Sequence, residues 1–412
     1  MTQTNTDHPL SGLRVLDLSR VLAGPWASQT LGDLGAEVIK VERPERGDDT
    51  RSWGPPWIPD ADGRETTDSA YFLCANRNKK SVTIDITAPK GQELVREIAA
   101  KSDILIENFK AGGLAKYRLD YASLAAVNSR LIYCSITGFG QTGPSAHRAG
   151  YDFSIQGLSG LMSVTGAPAT VPGSEPQKIG VALVDILTGL YATNGILAAV
   201  QHRHRTGRGQ HIDLALFDTA VACLANQALN YLVSGQSPER LGNANPNIVP
   251  YQAFATSDGH LIVAVGNDGQ FRKLCDVIGA TDLAEDARFA TNASRVMHRA
   301  ALVPMLEALL LSRSTRDWIA LLEPAGVPCG PINSVAQAFA EPRALSQHLA
   351  MMLPHDTGVL VPSVRSPLNL SGMSDPPRAA PPSLGQHTEA TLRKLLGTSD
   401  ETIAALRESK II

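Results

Sequence analysis

From Gly12 to Ile136 the sequence alternates between short apolar runs and longer amphipathic segments, and no other feature restricts the possible fold as much. Gly12–Leu18 reads as a strand, Ser19–Pro25 as a loop, Trp26 to about Leu34 as a helix and Ala36–Val41 as a second strand. Ser81–Ile86 then reads as a strand, Ala88–Lys101 as a helix with Pro89 in its first turn, and Asp103–Ile106 as a strand. A short helical piece from Tyr121 to Val127 precedes strand Leu131–Ile136. Strands separated by helices pair in parallel through crossovers, so the expected class is α/β with a doubly wound parallel sheet. Ligands in such sheets sit beyond the carboxyl ends of the strands. Here those ends open onto the loops 19–25, 42–51, 108–113 and 137–144.

The loops differ in chemistry. Glu42–Arg51, Asn76–Lys80 and Asn108–Lys110 carry clustered cations, and Gly138–Pro144 offers backbone N–H groups. Together they suit a phosphorylated or carboxylated small molecule, although each cationic loop by itself reads equally well as solvated surface. The first turn lacks G-x-G-x-x-G, and no acid is spaced to hold a ribose, which weakens a nicotinamide or flavin reading. Walker A, H-E-x-x-H and G-x-S-x-G sequences do not occur.

Further on, the run from Lys178 to Val200 contains, after Lys178, a single formal charge, Asp185. Its length would allow a membrane span, but Asp185, Thr188, Gly189, Thr193 and Asn194 near its middle argue for a soluble core. An unpaired ion removed from water loses several kcal/mol of solvation. Asp185 is therefore either a structurally paired or N-capping acid or a poised reactive group, and the stretch itself does not decide between them.

Gly235–Pro238 reads as a linker. Beyond it, the Asp258–Gly259 turn between apolar runs predicts a hairpin over 252–265, and helices are expected at 270–278, 299–311 and 315–323. Three regions follow: residues 1–230, a large α/β domain; 231–330, a small α+β domain; and 331–412, a Pro-rich connection and tail with helices at 389–396 and 401–409 that returns to the first domain.

Among 412 residues, 19% are charged and the net charge is -3, so nucleic acid is not an expected partner. The five cysteines are odd in number and form no C-x-x-C pair, which disfavours a disulfide framework and a metal site and suits a reducing cytoplasm. Met1–Leu10 reads as a short disordered lead without a targeting pattern.

Leu16–Pro25, Leu34–Arg43, Gly47–Arg51, Asn78–Ser81, Glu107–Phe109, Gly138–Pro144 and the Asp185 stretch, in that order, resemble the class III CoA-transferases, the family of formyl-CoA transferase and carnitine CoA-transferase that also includes alpha-methylacyl-CoA racemase. The resemblance implies a Rossmann-like large domain completed by the C-terminal tail, a smaller domain between, and an interlocked homodimer. It implies no tightly bound cofactor, with a coenzyme A thioester as substrate. Asp185 falls at the nucleophile position, forming an aspartyl anhydride and then an aspartyl-CoA thioester. That chemistry asks for partial desolvation, with backbone N–H groups keeping the carboxylate ionised and stabilising the oxyanion. Gly180, Gly189 and Gly195 would allow close approach of backbone and acyl group. The resemblance implies CoA contacts at Val21, Leu22, Ala23, Arg43, Ile84 to Thr87, Asn108, Phe109, Lys110, Lys116 and Tyr151.

Three departures refine the resemblance. Lys116 stands where the family usually has Arg, keeping charge without a bidentate fork. Tyr151 stands where racemases carry His before the Asp at position 152, and a phenol is a poor base near neutrality, so transfer is favoured over racemisation. Gly242–Tyr251 replaces a glycine run and is similar to the branch acting on dicarboxylic acids such as glutarate and succinate. Arg20, Arg46 and Arg148 are the candidate partners for a remote carboxylate. A 2-methylacyl-CoA racemase and a noncatalytic CoA-binding protein are the competing expectations.

Overall fold

In the computed structural model, residues 8–373 and 376–412 are described. Most of the expected lead Met1–Leu10 lies outside them; within them, the Leu10 N–H donates to the Leu34 carbonyl at 3.0 Å. The chain forms two compact units. One comprises the described residues up to Gly160, Ile179–Ala228 and Arg343–Ile412; the other comprises Leu161–Lys178 and Leu229–Pro342.

The first unit is built on β1 (Arg14–Asp17), α1 (Ala23–Asp33), β2 (Glu37–Glu42), β3 (Trp57–Pro59), β4 (Glu65–Ser69), α2 (Ala70–Leu73), β5 (Lys79–Thr83), α3 (Pro89–Ala100), β6 (Ile104–Glu107), α4 (Tyr121–Ala125), β7 (Ile132–Thr137), α5 (Asp152–Leu158), α6 (Leu183–Thr206), β8 (Gln210–Ala215) and α7 (Leu216–Ala222). Six strands make one sheet in the order β5-β2-β1-β6-β7-β8, every neighbour parallel. The chain winds outward from β1 to β5, then crosses to β6 and winds the other way. The loops after β1 and β6 therefore flank the point where strand order reverses, the usual ligand crevice of such sheets.

Two boundaries differ from the sequence reading for physical reasons. α1 begins at Ala23 rather than Trp26, because Pro25 fits a first helical turn, where its missing N–H has no intrahelical partner to lose. β5 begins at Lys79, a residue that reads as loop. Its ammonium is buried and meets Asp17 at 3.1 Å and the Pro25 carbonyl at 2.9 Å.

α6 is 24 residues long and apolar enough to cross a membrane by length and composition. Val184, Thr188, Ala192, Ile196, Ala199 and Arg203 are nonetheless buried at helical spacing inside this unit, as in a core helix. Gly189 lets α1 approach: a Cβ there would stand 2.7 Å from the Ala23 carbonyl oxygen. By contrast, a Cβ at Gly180 would meet nothing within 4 Å, and one at Gly195 would touch Ile212 at an ordinary 3.5 Å, so neither is required by packing within the protein.

The tail packs on the same sheet. Asn78 donates to the Ala379 carbonyl, His387 to that of Ser81 and Asp85 to that of Ile411, and Leu392, Ile403 and Leu406 join the core containing Ile39, Val82 and Leu94. In the second unit β9 (Tyr251–Ala255) and β10 (His260–Ala264) form a hairpin extended by β11 (Cys329–Pro331), packed with helices at 268–278, 299–310 and 315–322. Leu161–Lys178 belongs to it as well, tied down where Arg240 Nε donates to the Ala167 carbonyl at 2.9 Å.

Candidate active site

The site begins with buried charges at the ends of β1 and β2. Asp17 accepts from Ser19 and Ser28. Although burial opposes ionisation, Lys79 and Lys40 together with these hydroxyls hold its carboxyl down at about 2. Lys40 donates to the Ser19 carbonyl and to Asp48, each at 2.8 Å, with both side chains of the ion pair fully buried. Asp48 in turn accepts the Val21 N–H at 3.2 Å. Val21 has φ of 71°, a left-handed conformation that β-branched residues rarely adopt and that persists only where surroundings enforce it. The neighbouring residue completes the clamp: Asn108 Oδ1 accepts the Arg20 N–H at 2.9 Å and Asn108 Nδ2 donates to the Arg20 carbonyl at 2.6 Å. The loops after β1 and β6 are thus latched together, and buried Glu107 fixes the second by accepting the Phe109 N–H at 2.8 Å.

Two cavities open over these loops. The larger, about 390 Å³, is lined among others by Arg43, Ile84, Thr87 and Lys116. The smaller, about 180 Å³, is lined by Val21, Leu22, Ala23, Asn108, Tyr151 and Asp185. Arg20, Phe109 and Lys110 line both and mark where they adjoin. The structure thus gathers the expected CoA contacts, Tyr151 and Asp185 around one pair of adjoining cavities, a cation-lined one and one containing an acid.

Asp185 occupies the first turn of α6, whose N-cap is Ala182, so it is not an N-cap. Burial, and then the nearby charge of Asp152, push its carboxyl up to about 7. The expected backbone N–H donors to Asp185 are not found among the described residues, because the helix start is already capped. Asp152 Oδ1 accepts the N–H groups of Val184 and Asp185 at 2.8 and 3.2 Å, and Asp152 Oδ2 accepts from Gln156 Nε2 at 2.6 Å. Gln156 Oε1 accepts the Ile179 N–H at 2.9 Å, which orients the start of the segment leading to α6. The N–H groups of the helix start thus go to Asp152, leaving Asp185 to carry the penalty of burial and of a like charge. Tyr71 is a further neighbour. Burial and the charge of Asp185 push its phenol up to about 12.

Other expectations are corrected. Arg51 pairs with Glu42 at 2.8 Å and with Asp68, and Arg77 meets Asp33 at 2.9 Å; with Lys79 on Asp17, these cations are buried in the scaffold and are not ligand groups. In the loop 138–144, the Gly140 N–H goes to Thr137 Oγ1 and the Gln141 N–H to Asp213, so these two donors are not free for a ligand. Arg46 is exposed and lines neither cavity. Among the described residues no three His, Cys, Asp or Glu side chains gather as a metal site. Sequence reasoning missed Lys40, Asp48, Asp152 and Gln156 as site residues. Asp152 alone had a signal, standing beside Tyr151.

Residues 10–388 match the family model of CoA-transferase family III. The chain belongs to that family. This family III CoA-transferase is similar to the succinate–glutarate CoA-transferase of Agrobacterium fabrum, at 50% identity over 95% of this chain and 96% of that one. It is also similar to succinyl-CoA:glutarate CoA-transferase of Mus musculus, at 44% identity over 98% and 90%. Its fold matches the crystal structure of a CaiB/BaiF family protein from Brucella suis with a TM-score of 0.81 and 53% identity, covering 94% of this chain and 99% of that one. The transferase is an enzyme of CoA thioesters, and a CoA thioester as substrate accords with the adjoining cavities.

Proposed function

We propose that the transferase moves CoA from succinyl-CoA to a dicarboxylic acid of the glutarate type, with Asp185 as nucleophile. The observation that carries the proposal is a buried carboxyl, raised to about 7 and free of any hydrogen-bond donor among the described residues, in a cavity adjoining a cation-lined one. The names of the Agrobacterium and mouse relatives support the substrates.

In this reading an Asp185 oxygen attacks the thioester carbonyl, the C–S bond breaks, and CoA thiolate leaves a mixed anhydride. The thiolate then attacks the Asp185 carboxyl carbon, releasing the donor acid and leaving an aspartyl-CoA thioester. The acceptor carboxylate attacks that thioester and expels the thiolate, giving a second anhydride; thiolate attack on the acceptor's acyl carbon then frees Asp185. Poor solvation raises the nucleophilicity of the carboxylate. Arg43, Lys110 and Lys116 would take the CoA phosphates, Ile84 and Thr87 would flank the adenine end, and the latched loops at Val21–Ala23 and Asn108–Lys110 would guide pantetheine toward Asp185.

We further propose an interlocked homodimer in the cytoplasm. The five unpaired cysteines and the exposed apolar side chains of Leu190, Tyr191 and Val221 support it, and light scattering after size exclusion checks the mass. The functional test is a matrix of CoA donors against carboxylic acceptors. Succinyl-CoA with glutarate is expected among the best pairs, and activity is expected to be lost in Asp185→Ala. Normal transfer by that variant would sink the mechanism.

A further inference from the structure

We propose that Arg148 determines acceptor specificity by holding the remote carboxylate of the acid. This rests on the dicarboxylate reading above. When one carboxylate of such an acceptor meets Asp185, the other enters the same cavity still ionised, and an ion removed from water there needs a cation. Three cations line the cavity of Asp185: Arg20, Lys110 and Arg148. Arg20 and Lys110 also line the larger cavity, so they sit at the junction, where CoA must pass. Arg20 is in addition neutralised, donating to Asp49 at 2.9 Å. Arg148 lines the smaller cavity and not the larger one.

Its side chain is also held in readiness. The guanidinium lies over the Phe139 ring, 4.4 Å from the centroid, and Phe139 packs on Phe217 with centroids 5.9 Å apart. No carboxylate pairs with Arg148 among the described residues. An aromatic platform restricts a guanidinium without consuming its N–H donors, so the fork remains free for a bidentate carboxylate. Lysine could not reproduce that geometry.

The test is an internal competition between glutarate and butyrate, which is glutarate without its remote carboxylate, in one tube with succinyl-CoA as donor. The ratio of glutaryl-CoA to butyryl-CoA then reports the acceptor step independently of damage to donor binding. The wild-type enzyme is expected to favour glutarate. Arg148→Met is expected to lower the ratio by up to about fivefold, the upper end for an ion pair at an exposed arginine, and Arg148→Lys to lower it less. Arg20→Met is expected to slow both products alike and leave the ratio unchanged. An unchanged ratio in Arg148→Met with a native circular dichroism spectrum overturns the assignment, as does a ratio that collapses in Arg20→Met instead. A wild-type enzyme indifferent to the second carboxylate overturns the dicarboxylate reading and this proposal with it.

Discussion

Replacing the proposed nucleophile should make the protein more stable while abolishing its activity. Asp185 is buried, and its carboxyl stands at about 7 rather than its ordinary 3.8. Holding a carboxyl that high relative to the unfolded chain corresponds to about 4 kcal/mol of folding free energy forfeited when the group is ionised. The sign follows from proton uptake: between 3.8 and 7 the folded state holds the proton more tightly, so this group's contribution falls as pH rises through that window and levels off above it. Asp185→Asn removes the ionisation at nearly constant shape. Urea unfolding of both proteins from pH 4 to pH 9 should show almost no difference at the acid end. The variant's advantage should grow through pH 5 to 7 and level off at up to about 4 kcal/mol, the ceiling set by that rise. A variant no more stable at pH 8, or one whose advantage grows toward low pH, would refute the reasoning.

Other residues give independent checks. Asp152→Asn removes the like charge beside Asp185, so the acid limb of the pH–rate profile should move to lower pH. The amide cannot satisfy Gln156 and Ile179 together, so stability should drop by about 1–3 kcal/mol in the same urea assay. Gly189→Ala drives a methyl to 2.7 Å from the Ala23 carbonyl, and overpacking of about 1–3 kcal/mol should appear as a lowered thermal midpoint. Lys40→Met leaves Asp48 buried without its cation and should cost about 3–5 kcal/mol. Because Asp48 also holds the Val21 N–H, any folded Lys40→Met enzyme should show a raised KM for the CoA donor in steady-state kinetics.

The alternation of apolar runs carried the parallel sheet almost whole, because periodicity is a local property that each strand and helix displays by itself. The cavity residues were legible through ordered motifs on loops at the strand ends. What escaped was decided by distant partners. Arg51, Arg77 and Lys79 look like ligand groups until Glu42, Asp33 and Asp17 are found against them. Asp152 caps α6 across 32 residues, and nothing in the local sequence announces that the N–H groups near Asp185 are already taken. Leu161–Lys178 joins the second unit without a change of composition at either end, so the sequence reading left it in the first.

The central claim is that the Asp185 carboxyl becomes covalently acylated and then carries CoA. Adding succinyl-CoA without an acceptor, quenching with hydroxylamine and mapping the peptides by mass spectrometry tests it most directly. A hydroxamate is expected on the peptide containing Asp185, absent without the CoA donor and absent in Asp185→Asn. Undiminished transfer with an unmodified Asp185, or a hydroxamate on another acid, would contradict it.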